Sequence, residues 1–211
     1  MAGGIEMAFK KIEKFAASNR ILISRLLFFI ILFFQLFSTH NLESTLNHFL
    51  LEAAGLLFIV AGVFGRLWAG LYIYGYKNDK IVIKGPYSIV RNPLYFFSFL
   101  GALGISISSK NLIVFALIMG FFIIYYPWVV LNEERKLENK FPQEYKKYKQ
   151  KVPRFLPRFS LYQGAKIYEV NLKKFKKIFF DLIWFFILYL ILDLINILQN
   201  LNIIPILIEL K

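Results

Sequence analysis

Cysteine is absent from the 211 residues, so the chain has no disulfide, no thiolate metal ligand and no thiol nucleophile. Histidine is nearly absent, with His40 and His48 alone. They share a loop with Glu43 at spacings of three and five, too loose a set for zinc, and no metal site is expected. Acidic residues are scarce: 13 Asp and Glu stand against 26 Lys and Arg, a formal net charge of +13. Alternation of apolar and polar residues over about ten positions is also missing, which argues against a transmembrane β-barrel. No Gly-x-Gly-x-x-Gly follows a strand-like run, so a soluble dinucleotide-binding fold is not expected.

What is there is apolar. Hydrophobic residues make up 58% of the chain, including 24 Phe and 12 Tyr, and the mean hydropathy is +0.56. That is far above the composition of an ordinary soluble domain and predicts an integral membrane protein. Apolar runs cover residues 21–38, 49–74, 95–108, 112–131 and 178–198. Each is apolar on every face, and most approach the ~20 residues a helix needs to cross the hydrocarbon core. The expected fold is all-α and polytopic, with about five transmembrane helices, the third short, and a cytoplasmic amphipathic segment. The first run follows basic residues, as a signal peptide would, but it is long and no small-x-small site follows at 38–41, so it is expected to remain as a helix.

Positive charge is placed unevenly. Lys10, Lys11, Lys14 and Arg20 precede the first run, whereas the loop 39–48 has no Lys or Arg. Lys77, Lys80, Lys84 and Arg91 lie between runs two and three, only Lys110 between three and four, and fourteen basic residues between Glu133 and Lys177. The positive-inside rule then puts the N-terminus, the 85–93 loop and the 133–177 segment in the cytoplasm. No nucleic-acid-binding motif accompanies the charge, so anionic lipid headgroups are the expected partner and nucleic acid is not.

Polar groups concentrate in two places. Gly85-Pro86-Tyr87 reads as a turn. Pro93 biases Asn92 out of the helical region, which puts Arg91 and Asn92 at the start of the third helix and Tyr95 one turn inside. An Arg, an amide and a phenol at a helix N-terminus suit a carboxylate or a polar cofactor. The alternative is an Arg91 that snorkels to lipid phosphates beside an interfacial Tyr95. Glu133 and Glu134 follow the fourth run and point about 100° apart, so at most one aims into a given pocket. Glu134 and Glu138 share a face, with Arg135 as a partner for either, and a hydrated helix end is the plainer account. Beyond Pro142, Phe141, Tyr145, Tyr148 and Val152 form one helical face and Lys146, Lys147, Lys149 and Lys151 occupy the others. That helix lies on the membrane or covers a cavity, and Pro153 and Pro157 end it. Asp181 and Asp193 flank the last run; Asp181 follows Lys176 and Lys177 and suits an interface, and Asp193 has no evident role.

Gly85-Pro86-Tyr87, Arg91-Asn92-Pro93-Leu94-Tyr95, Glu133-Glu134, Phe141, Glu144-Tyr145, Tyr148, Val152-Pro153 and Leu156-Pro157, in that order, resemble the isoprenylcysteine carboxyl methyltransferase and phospholipid methyltransferase superfamily. Arg66-Leu67-Trp68-Ala69 is similar to bacterial members. The resemblance implies methyl transfer from S-adenosylmethionine to a lipophilic acceptor, a prenylcysteine-like carboxylate or a phospholipid amine, at a prokaryotic inner membrane. It implies cofactor contacts from Tyr87, Arg91, Asn92, Pro93, Tyr95, Glu133, Glu134, Tyr145 and Tyr148, with Glu134 and Arg91 as the catalytic pair. It divides the chain into a cytoplasmic basic N-terminus (1–20), two transmembrane helices (21–75), a methyltransferase core (76–158), a basic linker (159–177) and a further transmembrane helix with its tail (178–211). Three positions depart from the family pattern: Asn92 stands where a His is usual, Phe97 where a Gly is common, and Val129 where eukaryotic isoprenylcysteine enzymes carry an Arg. An amide cannot titrate, so Asn92 is expected to hydrogen-bond and not to move protons. Membrane reductases of related fold that use NADPH, and a non-catalytic protein on the same scaffold, are the alternatives.

Overall fold

The fold follows from where backbone groups can find partners. In hydrocarbon only a helix satisfies every N–H and C=O within a single segment. The computed structural model describes residues 2–40, 45–74, 80–166, 170 and 172–210. Its helices are α1 (Ala2–Phe37), α2 (Thr45–Ile73), α3 (Pro86–Ile89), α4 (Pro93–Ser108), α5 (Leu112–Lys140), α6 (Pro142–Lys151) and α7 (Leu172–Asn200), with a 3-10 turn at Phe159–Leu161. His48 lies in the first turn of α2, and the side chains of His40 and Glu43 lie outside the described residues.

Among the described residues, three helices are long and apolar enough to cross a membrane: Leu46–Ile73 in α2, Leu112–Lys140 in α5 and Ile178–Asn200 in α7. α1 adds a fourth if its two arms, Lys11–Asn19 and Ile21–Phe37, count as one span despite a 64° bend between them. The expected count of about five is therefore not reached. The third apolar run is the one that falls short: α4 has 16 residues, or about 24 Å at 1.5 Å each, against a hydrocarbon core of about 30 Å. Large side chains such as Phe29, Phe49, Leu57, Ile124 and Phe180 point outward and more than half exposed, a surface that suits lipid and not water. The only strands among the described residues are β1 (Ser38–His40) and β2 (Ile208–Leu210), a three-residue parallel pairing that joins the end of α1 to the C-terminal tail.

α2 and α4 form the closest pair, and glycine makes the approach possible. A Cβ on Gly62 would stand 2.5 Å from the Gly101 nitrogen, and one on Gly104 would stand 2.5 Å from the Gly55 oxygen. Lipid gives helices no hydrophobic reason to associate, so close backbone contact of this kind is what holds them. Phe97 lies across Gly65, and a side chain there would occupy the ring's space. The bulky Phe97 is thus matched by a glycine on the facing helix.

Asn111 caps α5, its side-chain oxygen accepting from the Ile113 and Val114 N–H groups at 3.0 and 3.2 Å. Its amide donates to Ser38, and nearby Gln35 donates to Asn196 at 2.7 Å while Gln199 donates to the Gln35 and Leu36 carbonyls. This network at one end of the bundle binds α1, α5 and α7 together. The chemistry-bearing residues gather at the other end.

Candidate active site

Pro93 occupies the first helical position of α4, and Asn92 precedes it with φ −123° and ψ 59°, outside the helical region, as the sequence predicts. Asparagine here would ordinarily cap the helix. No side-chain cap forms. The Asn92 amide instead donates to Glu134 Oε1 at 2.8 Å and to the Arg154 carbonyl at 3.2 Å. Arg154 Nε and its terminal nitrogen both lie 3.1 Å from Glu134 Oε2, and Arg91 Nε lies 3.3 Å from Oε1 in an ion pair without hydrogen-bonding alignment. One carboxylate thus meets two guanidiniums and an amide from two other stretches of chain. The Arg91 and Glu134 side chains are 8% and 5% exposed, so a bare charge on either would be costly and the pair compensates both.

The backbone closes around this clamp. The Arg91 N–H donates to the Pro153 carbonyl at 2.8 Å, and the Arg158 N–H to the Ile89 carbonyl at 2.9 Å. Pro153 and Pro157 turn the chain after α6 back alongside the 85–92 loop, and Arg154 arrives with it. Gly85 holds φ +61° with the Tyr72 ring against it, a conformation and a space that favour glycine. Ser88 donates to the Gly85 carbonyl at 2.7 Å and accepts from the Gln163 N–H, fixing α3.

The aromatic face of α6 turns into the protein. Tyr145, Tyr148 and Val152 are buried in a cluster with Ile81 and Leu137, and Lys146, Lys147, Lys149 and Lys151 are exposed. The Tyr148 hydroxyl donates to the Tyr87 carbonyl at 2.7 Å. Burial pushes both phenols well above their ordinary range, with the Glu134 charge adding to the effect on Tyr145 and the neighbouring phenol on Tyr148. Both stay neutral at any physiological pH and can donate hydrogen bonds without becoming phenolates.

Two hollows meet beside the clamp. The first, about 560 Å³, is lined by Tyr87, Arg91, Glu133 and Tyr148, with Lys80, Ile81 and Lys136 at its walls and Ala17 of α1. The second, about 640 Å³, runs between helices and is lined by Tyr95, Glu133, Arg66, Ser98 and Asp181. Val129 and Glu133 belong to both. An outer cleft of about 630 Å³ continues past Tyr148 and Ile81 along α6. A smaller apolar hollow of about 270 Å³ lies between Tyr95, Phe99, Phe122 and Phe155.

The residues singled out from sequence therefore divide in two. Tyr87, Arg91, Glu133 and Tyr148 line the first hollow, and Tyr95 lies in the second with Glu133. Asn92, Pro93, Glu134 and Tyr145 line none of the four hollows and form the support behind them. Arg135 pairs with neither Glu134 nor Glu138: it reaches Glu13 of α1 at 2.9 Å, because the first arm of α1 folds over this end of α5, and Glu138 pairs with Lys149 instead. Asp181 is a lining residue of the second hollow as well as a helix-end charge. Sequence reasoning missed Arg154, one of many basic residues in this stretch, and the inward role of Arg66. Among the described residues no three His, Asp or Glu side chains converge as metal ligands would.

A bundle of membrane-type helices thus carries a buried charge clamp and two adjoining hollows at one end, each of a size that small-molecule sites have. The phospholipid methyltransferase family model matches residues 50–144, which run from α2 into α6. The chain is 35% identical over 176 residues to the cobalt-zinc-cadmium resistance protein CzcN of Cupriavidus metallidurans, covering 83% of this chain and 81% of that one. It is 28% identical over 194 residues to the nickel-cobalt-cadmium resistance protein NccN of Alcaligenes xylosoxydans xylosoxydans, covering 92% and 91%. No solved structure matches it. The chain belongs to the phospholipid methyltransferase family.

Proposed function

We propose that the chain is an integral membrane methyltransferase that uses S-adenosylmethionine to methylate a lipophilic acceptor, with its N-terminus and active site on the cytoplasmic side of a prokaryotic inner membrane. The observation that carries this reading is the pair of hollows joined at Val129 and Glu133, with the Arg91–Glu134 clamp behind them. The first reaches the charged end of the bundle beside α6; the second runs between the helices, with polar groups inside and an apolar rim.

The first hollow suits the donor. Its volume lies within the ~300–1,000 Å³ of small-molecule sites, and it offers aromatic faces, cations for a carboxylate and one carboxylate for sugar hydroxyls. Arg91 and Lys80 would hold the amino-acid carboxylate, Tyr87 and Tyr148 would bracket the nucleoside, and Glu133 would accept from the ribose. Bound there, S-adenosylmethionine supplies an already electrophilic sulfonium methyl. The chain therefore needs chiefly to align an acceptor and keep water out. Tyr148 and the first arm of α1 cover the hollow, and Glu134 holds the Arg91 guanidinium in place.

Both Glu134 oxygens already face donors, which makes it a positioning residue. Glu133, on the shared wall, is the carboxylate able to take a proton from an amine or hydroxyl acceptor, and a carboxylate acceptor would need no base. The direct test incubates membranes holding the protein with methyl-labelled S-adenosylmethionine and follows the label into extracted lipid. Label should appear in an organic-soluble product with the wild type and fall at least tenfold with Glu133→Gln. Equal labelling in membranes lacking the protein contradicts the proposal.

A further inference from the structure

Arg66 lies seven residues before the end of α2, inside a helix long and apolar enough to cross a membrane. A guanidinium at that depth is costly unless it is paired or solvated. Its surroundings supply little. One terminal nitrogen donates to Ser98, the guanidinium sits 5.7 Å from the centre of the Phe185 ring, and the buried Nε has no hydrogen-bond partner. No carboxylate among the described residues forms an ion pair with it, although Glu133 and Asp181 line the same hollow. Ser98 accepts from Arg66 while donating to the Leu94 carbonyl at 2.6 Å, but an uncharged hydroxyl leaves the positive charge uncompensated.

The 640 Å³ hollow around Arg66 has two kinds of wall. Arg66, Ser98 and Tyr95 make it polar within. Ile21 and Trp184, 62% and 65% exposed, form an apolar rim between α1 and α7 that faces the lipid side. A molecule that fits both walls has a hydrocarbon tail at the rim and a group inside that satisfies a guanidinium. Guanidinium matches oxyanions, donating two parallel N–H groups to a carboxylate or a phosphate.

We infer that Arg66 is the specificity-determining residue of an acceptor site that binds an amphiphile through one anionic oxygen group, a carboxylate or a phosphate monoester. This deepens the methyltransferase reading and rests on it only for what becomes of the bound molecule; the recognition itself is a matter of Arg66 and the hollow.

Laurate, dodecyl phosphate and dodecanol share one tail and differ in head group, so they isolate the contribution of charge. Diazirine-tagged laurate is crosslinked to the purified full-length protein in nanodiscs of uncharged lipid, and competition by the three amphiphiles is read by mass spectrometry at Ile21, Leu94 and Trp184. S-adenosylhomocysteine binding is measured on the same samples. In the wild type one or both anions should compete about tenfold better than dodecanol. Arg66→Gln should erase that preference, Arg66→Lys should keep a reduced one, and binding of S-adenosylhomocysteine should change less than about twofold in either. The stronger of the two anions identifies the head group. Dodecanol competing as well as the anions in the wild type overturns the inference, as does an Arg66→Gln protein that keeps the preference. Should Arg66→Gln fail to fold, the wild-type comparison and Arg66→Lys decide. An anion preference without S-adenosylhomocysteine binding leaves the Arg66 site standing and removes the methyltransferase reading; the reverse removes only the site.

Discussion

Glu133 and Glu134 are adjacent and chemically identical, yet a rotation of about 100° around α5 gives them different work. Glu134 is turned into Arg91, Asn92 and Arg154, whereas Glu133 faces the two hollows. Glu134→Gln leaves two guanidiniums short of a partner and should lower stability by about 1–3 kcal/mol, with weaker donor binding. Glu133→Gln should cost less stability than Glu134→Gln while turnover collapses. Thermal unfolding beside a transfer assay separates the two. The sequence placed both carboxylates at the right end of the right helix. It could not choose between them, because the choice depends on how α5 is rotated against α4, and these apolar faces are too uniform to set that from periodicity.

The buried phenols give a pH dependence of known sign. Folding raises their ionisation above the ordinary value near 10, so the native chain keeps protons that the unfolded chain releases. Their contribution is complete below pH ~10 and is lost as the pH rises beyond it. Tyr148→Phe should flatten the alkaline fall in stability, read as the melting temperature between about pH 9 and 11. The same variant loses the hydrogen bond to Tyr87 and should be less stable at neutral pH by about 1 kcal/mol.

At the scale of elements, the seam between α2 and α4 fixes where the clamp sits. Gly104→Ala puts a methyl 2.5 Å from backbone and should cost about 1–3 kcal/mol; Gly120→Ala in α5, with nothing within 4 Å, should be neutral or stabilising. Gly65 and Phe97 form a size pair. Gly65→Ala should destabilise the wild type and be tolerated in a Phe97→Gly background, a coupling that a double-mutant cycle of melting temperatures measures directly.

Helix starts were legible wherever a proline marked them. Pro93 opens α4 and Pro142 opens α6, each at a first-turn position where its missing N–H costs nothing. The inward face of α6 was legible as a stripe of Phe141, Tyr145, Tyr148 and Val152, though not what it would cover. Arg154 was hidden because one Arg among many exposed basic residues carries no local sign of a distant partner. The bent first arm of α1, with Glu13 on Arg135 and Phe9 stacked on Trp128, rests on contacts more than a hundred residues apart, beyond the reach of any window along the sequence.

For the whole molecule, α7 is part of the bundle although the family model ends at residue 144. Its Asn196 and Gln199 bind α1 at one end, Tyr189 donates to Glu52 of α2 at 3.2 Å, and Asp181 and Trp184 line the second hollow at the other. Truncation before residue 172 should therefore abolish folded protein, measured as monodisperse material after extraction. Orientation is also open to test, because a chain without cysteine accepts single reporters cleanly. Lys84→Cys and Asn202→Cys lie at exposed positions near opposite ends of the bundle. In intact cells a membrane-impermeant maleimide should label position 202 and spare 84 until the membrane is opened.

The central claim is that the hollow lined by Tyr87, Arg91, Glu133 and Tyr148 holds a sulfonium nucleoside. Calorimetric titration of the purified protein with S-adenosylhomocysteine tests it most directly, with NADPH as the comparison. Saturable binding at one site per chain is expected, weakened at least tenfold by Arg91→Gln and by Tyr148→Ala, with no heat from NADPH. A folded wild-type protein that ignores S-adenosylhomocysteine, or that binds NADPH in its place, would contradict it.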